Sequence, residues 1–223
     1  DISFKVRRVL ENGDSPFKER HAILQEHGEI PLPPYIRKTL SDESRYQTVY
    51  ADRFGSSAAP TAGLHFTPEI FSAIEKKGVS VRRLTLHVGL GTFLPFYGED
   101  RTRDHLHSES YEIPEATAAA LQKARLEKWR VIAVGTTSLR ALEDSVRRSG
   151  EFRAGWESTR LFIRPPQKVV SADALITNFH LPESSLLMLV AAFGGYDRVF
   201  AAYREAVKER YRFFSLGDAM FIC

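Results

Sequence analysis

Residues 2–7, ISFKVR, alternate apolar and polar positions as a half-buried strand does. A turn at 11–14 follows, and Ser15 with Pro16 behind it opens a helix, because the serine caps free amides and proline costs nothing at the first helical position. Gly28 stops that helix. In IPLPPYI, 30–36, the prolines forbid a helix or a central strand and impose an extended path, which marks a domain boundary. One strand and one helix ahead of that strap cannot bury enough apolar area to stand alone, so residues 1–28 read as the end of a larger unit and 29–223 as the main domain.

Beyond the strap, strand and helix signals alternate. A helix opens at Thr67-Pro68 and closes at Gly78, and strands are expected over 79–88 and 109–113. Residues 114–128 put Ala116, Ala119, Ala120 and Ala124 on one helical face. The run 130–134, RVIAV, reads as a buried parallel strand. Gly135-Thr136-Thr137 turns it into a helix with Leu139, Leu142 and Val146 inside and the pairs Glu143–Arg147 and Asp144–Arg148 outside. Strands at 159–163 and 173–177, an apolar helix at 183–193 and an amphipathic helix at 197–209 follow. That last helix turns Val199, Phe200, Tyr203, Ala206 and Val207 inward, and 219–222 is a closing strand. The alternation predicts an α/β fold without internal repeats.

Composition narrows the class. At 43% hydrophobic and 26% charged, the 223 residues are globular rather than disordered or fibrous. The longest apolar run, 186–193, is too short to cross a bilayer, which takes roughly 20 residues. No leader opens the chain, so a soluble cytoplasmic protein is expected. The one cysteine, Cys223, excludes a disulfide framework, a multi-cysteine metal site and thiol catalysis. A net charge of +3 suits an anionic partner without requiring one.

Four segments are too rich in Gly, His, Thr and Asn to be plain connectors. In 55–67 small residues let a ligand approach the backbone, ahead of a helix N-terminus that favours negative charge. The G-x-G of 85–93 lacks the third glycine of a dinucleotide fingerprint, and Pro95 stands where the helix should open; a closely approached ligand or a tight bend fits better. On a strand, His105, His107 and Glu109 share one face, which is plausible metal geometry, with an acid–base cluster or a plain polar strand edge as the alternatives. Asp173 to Pro182 delivers Thr177, Asn178 and His180 at a strand end, where α/β folds hold ligands, although a lone histidine there is also a satisfied structural one. No nucleophile elbow and no P-loop is present.

The words IPLPPYI (30–36), YQTVYA (46–51), APTAGLHFT (59–67), LHVGLGTF (86–93), GTTS (135–138), LITNFHLP (175–182) and YRFFSLGDAM (211–220) stand in one order from about residue 29 to 222. In this the chain resembles the S-adenosylmethionine:tRNA ribosyltransferase-isomerase family of queuosine synthesis. The resemblance implies a barrel-like α/β catalytic domain beside a smaller β-barrel, of which residues 1–28 would be a remnant, the family's amino-terminal third being absent. It implies transfer and isomerisation of the ribosyl part of S-adenosylmethionine onto 7-aminomethyl-7-deazaguanine in the tRNA anticodon. Epoxyqueuosine is the product, and adenine and methionine leave. S-adenosylmethionine is a substrate; no metal and no bound cofactor is implied. The partners are that donor and tRNA, and the protein is a monomer away from membranes. Pro165-Pro166-Gln167 departs from the Pro-Gly turn usual in the family.

A sulfonium acidifies the neighbouring ribose hydrogens and adenine leaves with a proton, work suited to histidine. His65, His87 and His180 are the expected acid–base groups, with His107 and Glu109 next and Asp173 as an orienting carboxylate. Thr61, Gly63, Leu64, Phe66, Gly89, Gly91, Thr92, Phe93, Thr136, Thr137, Thr177, Asn178 and Phe179 are expected around the substrate. Arg82, Arg83, Arg101 and Arg103 are expected on RNA phosphates, and Tyr35, Tyr46, Phe66, Phe93 and Phe179 are candidates to stack an extruded base. Two rival readings are a non-catalytic RNA-binding module of the same fold and a metal hydrolase on His105, His107 and Glu109.

Overall fold

The computed structural model describes residues 32, 36, 42–89 and 105–223. The chain divides into two compact units, Asp1–Arg37 and Lys38–Cys223. The strand expected at 2–7, the helix at 15–28 and the boundary after residue 28 lie outside the described residues, as do Tyr35, Gly91, Thr92, Phe93, Arg101 and Arg103.

Within the second unit, strand and helix alternate around two three-stranded sheets, which makes the fold α/β. One sheet is antiparallel, in the order β1 (Thr85–His87), β2 (His105–Ile113), β4 (Gly155–Leu161). The other sets β3 (Ile132–Val134) parallel to the central β5 (Ala174–Asn178), with β6 (Ala219–Ile222) antiparallel on the far side. The helices are α1 (Pro68–Lys76), α2 (Glu115–Leu126), α3 (Thr136–Ser149), α4 (Ser185–Gly194) and α5 (Tyr196–Lys208), with short 3-10 turns at Glu43–Tyr46 and Thr61–His65.

Helix α3 is the shared wall of two cores. Leu139 joins Ala133, Ile163, Leu175, Leu189, Val190 and Val199 under the mixed sheet. Ala141, Leu142 and Val146 join Tyr111, Ile113, Ala118 and Phe152 under the antiparallel one. A helix enclosed on both sides has little outside left, which corrects the expectation for its ion pairs. Arg147 and Arg148 do reach Glu143 and Asp144, at 2.8 Å each, but the carboxylates are buried, Glu143 completely. Glu143 accepts the backbone N–H groups of Val170 and Ser171, and Asp144 accepts the hydroxyls of Tyr111 and Thr159. Each carboxylate thus has the partners a buried charge requires.

Other expectations shift. The buried face of α2 is Thr117 and Ala118, with Leu121 packed behind, whereas Ala116 and Ala119 face out. Val207 on α5 is 66% exposed although Val199 and Ala206 are buried. The strand expected over 79–88 shortens to Thr85–His87, and that expected at 159–163 lies at Gly155–Leu161. Helices α4 and α5 meet at 116° across Gly195, whose φ of +85° an L-residue rarely adopts. Among the described residues no single helix is long and apolar enough to cross a membrane.

Candidate functional site

The carboxyl ends of β3 and β5 come together where a parallel pair conventionally offers a ligand crevice. Gly135 leaves β3 by donating its N–H to Ile176 O at 2.8 Å, and it becomes the N-cap of α3. Its φ is +88°, and a Cβ there would stand 3.8 Å from Ala62. The glycine therefore turns the chain sharply and lets the Thr61–His65 turn lie over the strand ends. It brings no capping side chain, so among the described residues the first amides of α3, at Thr136 and Thr137, have no side-chain acceptor. The N-terminus of α1 differs: Thr67 accepts from Ile70 N–H, and Glu69 sits in the first turn. The segment expected to attract an anion there already holds its own acceptors.

Gly63 lies within the 3-10 turn, its N–H donating to Pro60 O at 2.7 Å. A Cβ on it would reach 2.0 Å from the Tyr50 hydroxyl, so the turn is seated directly on that ring. Burial pushes the Tyr50 phenol above its ordinary value. Leu64 and Phe66 are half-buried beside it, Phe66 tilted against Phe71 at 5.5 Å.

Asn178, buried at the end of β5, ties two other segments to that strand. Thr61 Oγ1 donates to its Oδ1 at 3.3 Å, and its Nδ2 stands 3.3 Å from His65 Nε2. The same Nδ2 donates to Phe214 O at 3.2 Å and Ser215 O at 3.5 Å. The loop carrying those carbonyls is closed by Arg212 on Asp218, with contacts of 2.6 and 3.1 Å. The side-chain and backbone bonds from Arg212 hold the Asp218 carboxyl below its usual range.

Adjacent strand residues point to opposite faces. Thr177 therefore leaves β5 away from Asn178, and its Oγ1 meets His180 Nε2 at 2.8 Å. His180 donates its backbone N–H to the Tyr203 hydroxyl at 2.9 Å. Desolvation lowers the imidazole to about 4. Next to it, Phe179 is buried among Tyr203, Tyr211 and Phe213, with ring centroids 4.9–5.7 Å away, an interior position rather than a stacking platform.

The remaining expected residues spread out. His87 lies in the other sheet, stacked on Trp156 at 5.5 Å and 3°, with its Nδ1 buried and without a hydrogen-bond partner among the described residues. Gly55 packs against that ring, and Ser56 Oγ accepts Val88 N–H, so the 55–57 loop is laid along β1. A Cβ on Gly89 would meet no described residue within 4 Å. Glu109 is paired with Arg140, both 5% exposed, while His105 and His107 are exposed on the same strand beside an irregularity in register. Among the described residues no group of three His, Cys, Asp or Glu side chains could hold a metal ion. Asp173 sits at the opposite end of β5 from Asn178, where its carboxylate accepts Val131 N–H at 2.8 Å. Arg82 and Arg83 are exposed, Arg83 lying 5.9 Å over the Phe71 ring. Tyr46 is buried. Sequence reasoning missed Arg140 and the acceptor role of the 214–215 carbonyls; for the latter the YRFFSLGDAM word was the only local signal.

The family model described as queuosine biosynthesis protein matches residues 2–222. The chain is 50% identical over 224 residues to the S-adenosylmethionine:tRNA ribosyltransferase-isomerase of Syntrophotalea carbinolica, covering 96% of this chain and 65% of that protein. To the protein of that name from Thermus thermophilus it is 58% identical over 201 residues, covering 90% and 58%. The crystal structure of S-adenosylmethionine tRNA ribosyltransferase from Thermotoga maritima superposes with a TM-score of 0.60 at 46% identity, over 73% of this chain and 51% of that one. The chain spans less than two thirds of the length of these relatives.

Proposed function

We infer that this chain, which belongs to the queuosine biosynthesis protein family, carries the catalytic part of a tRNA-modifying transferase-isomerase. In this reading the ribosyl part of S-adenosylmethionine moves onto 7-aminomethyl-7-deazaguanine in the anticodon, giving epoxyqueuosine and releasing adenine and methionine. The observation that carries it is the convergence of Thr61, His65 and Asn178 with the uncapped α3 N-terminus at the carboxyl ends of β3 and β5.

The chemistry follows from the groups. Backbone amides at Thr136 and Thr137 suit the methionyl carboxylate, since a helix N-terminus carries partial positive charge. Gly89, where a Cβ would meet no described residue within 4 Å, suits close approach of the adenosyl group, as do Gly91, Thr92 and Phe93 by sequence. His65 is the imidazole assigned to the substrate. His87 and His107 are the next candidates for proton transfer. His180 ranks behind them, because desolvation lowers its imidazole and Thr177 engages its Nε2. Exposed Arg82 and Arg83 suit RNA phosphates, as do Arg101 and Arg103 by sequence. The donor is a substrate, and no resident metal or cofactor is proposed. A barrel-like closure of the two sheets, residues 1–28 as a remnant of a second barrel, a monomeric state and a cytoplasmic site complete the proposal.

The test is adenine release from S-adenosylmethionine with tRNA bearing the deazaguanine precursor. It compares this chain with one extended to the length of its relatives. Release by the extended chain, lost on His65→Ala, supports the reading. Salt-sensitive tRNA binding without release by either chain supports the non-catalytic RNA module instead.

A further inference from the structure

We infer that Asn178 is a positioning residue that holds the neutral His65 ring as its Nδ1–H tautomer, making Nδ1 a hydrogen-bond donor and leaving Nε2 committed to the protein. A side-chain amide can be turned either way, but its surroundings decide here. Nδ2 faces the backbone carbonyls of Phe214 and Ser215 at 3.2 and 3.5 Å, and carbonyl oxygens only accept. Turning the amide would aim Oδ1 at both. The observed orientation also satisfies Oδ1, because the Thr61 hydroxyl is free to donate to it.

Nδ2 has two hydrogens for three acceptors, so with the neighbouring Phe214 and Ser215 carbonyls sharing one, the other is the donor that meets His65 Nε2 at 3.3 Å. Nε2 must then offer a lone pair, and a neutral imidazole with a lone pair on Nε2 carries its proton on Nδ1. The loop that supplies the carbonyls is itself anchored: Phe214 N–H donates to Phe179 O at 2.9 Å, and Asp218 N–H donates to Arg212 O at 2.7 Å. The tautomer is thus dictated by backbone more than a hundred residues away from the histidine. This deepens the functional proposal and rests on it for one step only: His65 gives a hydrogen bond from Nδ1 to an acceptor atom of the donor substrate, such as a nitrogen of the leaving purine, and does not take a proton at Nε2.

The decisive measurement is the long-range proton–nitrogen NMR spectrum of the whole chain labelled with 15N-histidine, at a pH where the rings are neutral. The His65 signals are identified by their loss in His65→Gln. A protonated Nδ1 and a bare Nε2 are expected, and the same pattern is expected in Thr61→Val, which keeps both Nδ2 hydrogens. A His65 ring that is mostly Nε2-protonated in the wild-type protein overturns the inference. In Asn178→Asp, whose ionised side chain only accepts, the pattern should invert; a folded variant that retains Nδ1–H also overturns it. If that variant does not fold, the wild-type and Thr61→Val spectra decide. None of these readings needs turnover, so an Nδ1–H pattern alongside no adenine release by the extended chain defeats the functional proposal and not this one.

Discussion

Arg140 on α3 reaches Glu109 on β2 inside the protein, with both side chains 5% exposed. Arg140 also donates to Leu161 O at 3.1 Å, so one guanidinium fastens the helix to two strands of the antiparallel sheet. The Glu109 carboxylate, a candidate for proton transfer by sequence, is held by a buried guanidinium. Removing one partner of a buried pair leaves the other charge without compensation, at a cost of about 3–5 kcal/mol. Glu109→Ala should lower the urea midpoint accordingly, whereas Glu109→Leu with Arg140→Met should lose much less. A single variant as stable as the wild type would refute the assignment.

The glycines sort by what a Cβ would meet. At Gly63 it meets the Tyr50 hydroxyl, and at Gly217 it meets the backbone of Arg212 and Phe213 within 2.4–2.6 Å. Overpacking of this kind costs typically about 1–3 kcal/mol where side chains can yield. Gly63→Ala should therefore destabilise in that range and recover partly with Tyr50→Phe. Gly217→Ala should be worse, since backbone cannot swing aside. Gly89→Val meets no described residue within 4 Å and should leave thermal stability unchanged while weakening S-adenosylmethionine binding by calorimetry.

Acid should weaken the fold through His180. Its imidazole falls from 6.5 to about 4 on burial. A folded value below the unfolded one means that stability is complete above pH 6.5 and declines as pH drops toward 4, because only the unfolded chain takes up the proton in that window. The loss is on the order of 3 kcal/mol. Urea melts of wild type and His180→Gln between about pH 7.5 and about pH 4.5 should diverge by that amount. Parallel curves would mean that the ring is not desolvated.

Metal removal separates the chemistries. With no metal-ligating trio among the described residues, adenine release by a chain of full family length should survive dialysis against a strong chelator. Activity lost on chelation and restored by a divalent cation would revive the hydrolase reading of His105, His107 and Glu109.

Local signals were legible wherever a residue's own backbone preference decides. Thr67-Pro68 opens α1, the turn after RVIAV opens α3, and the short apolar runs became the strands of the mixed sheet. The order of the long sequence words carried the family. Side-chain partners were not legible, because they are set by segments far apart in the chain: Thr61 and His65 meet Asn178 across separations of 117 and 113 residues.

Strand alternation explains the largest difference at the site. Thr177, Asn178 and His180 look like one cluster when read along the chain, but the pleat sends Thr177 and His180 to one side and Asn178 with His65 to the other. Likewise, helical periodicity located the apolar stripe of α3, while its enclosure by two cores turned Glu143 and Asp144 from surface charges into buried acceptors. Periodicity, turn residues and composition act over a few bonds and can be read from the chain alone. Burial and pairing depend on which surfaces meet, and that is established only when the whole domain has closed around them.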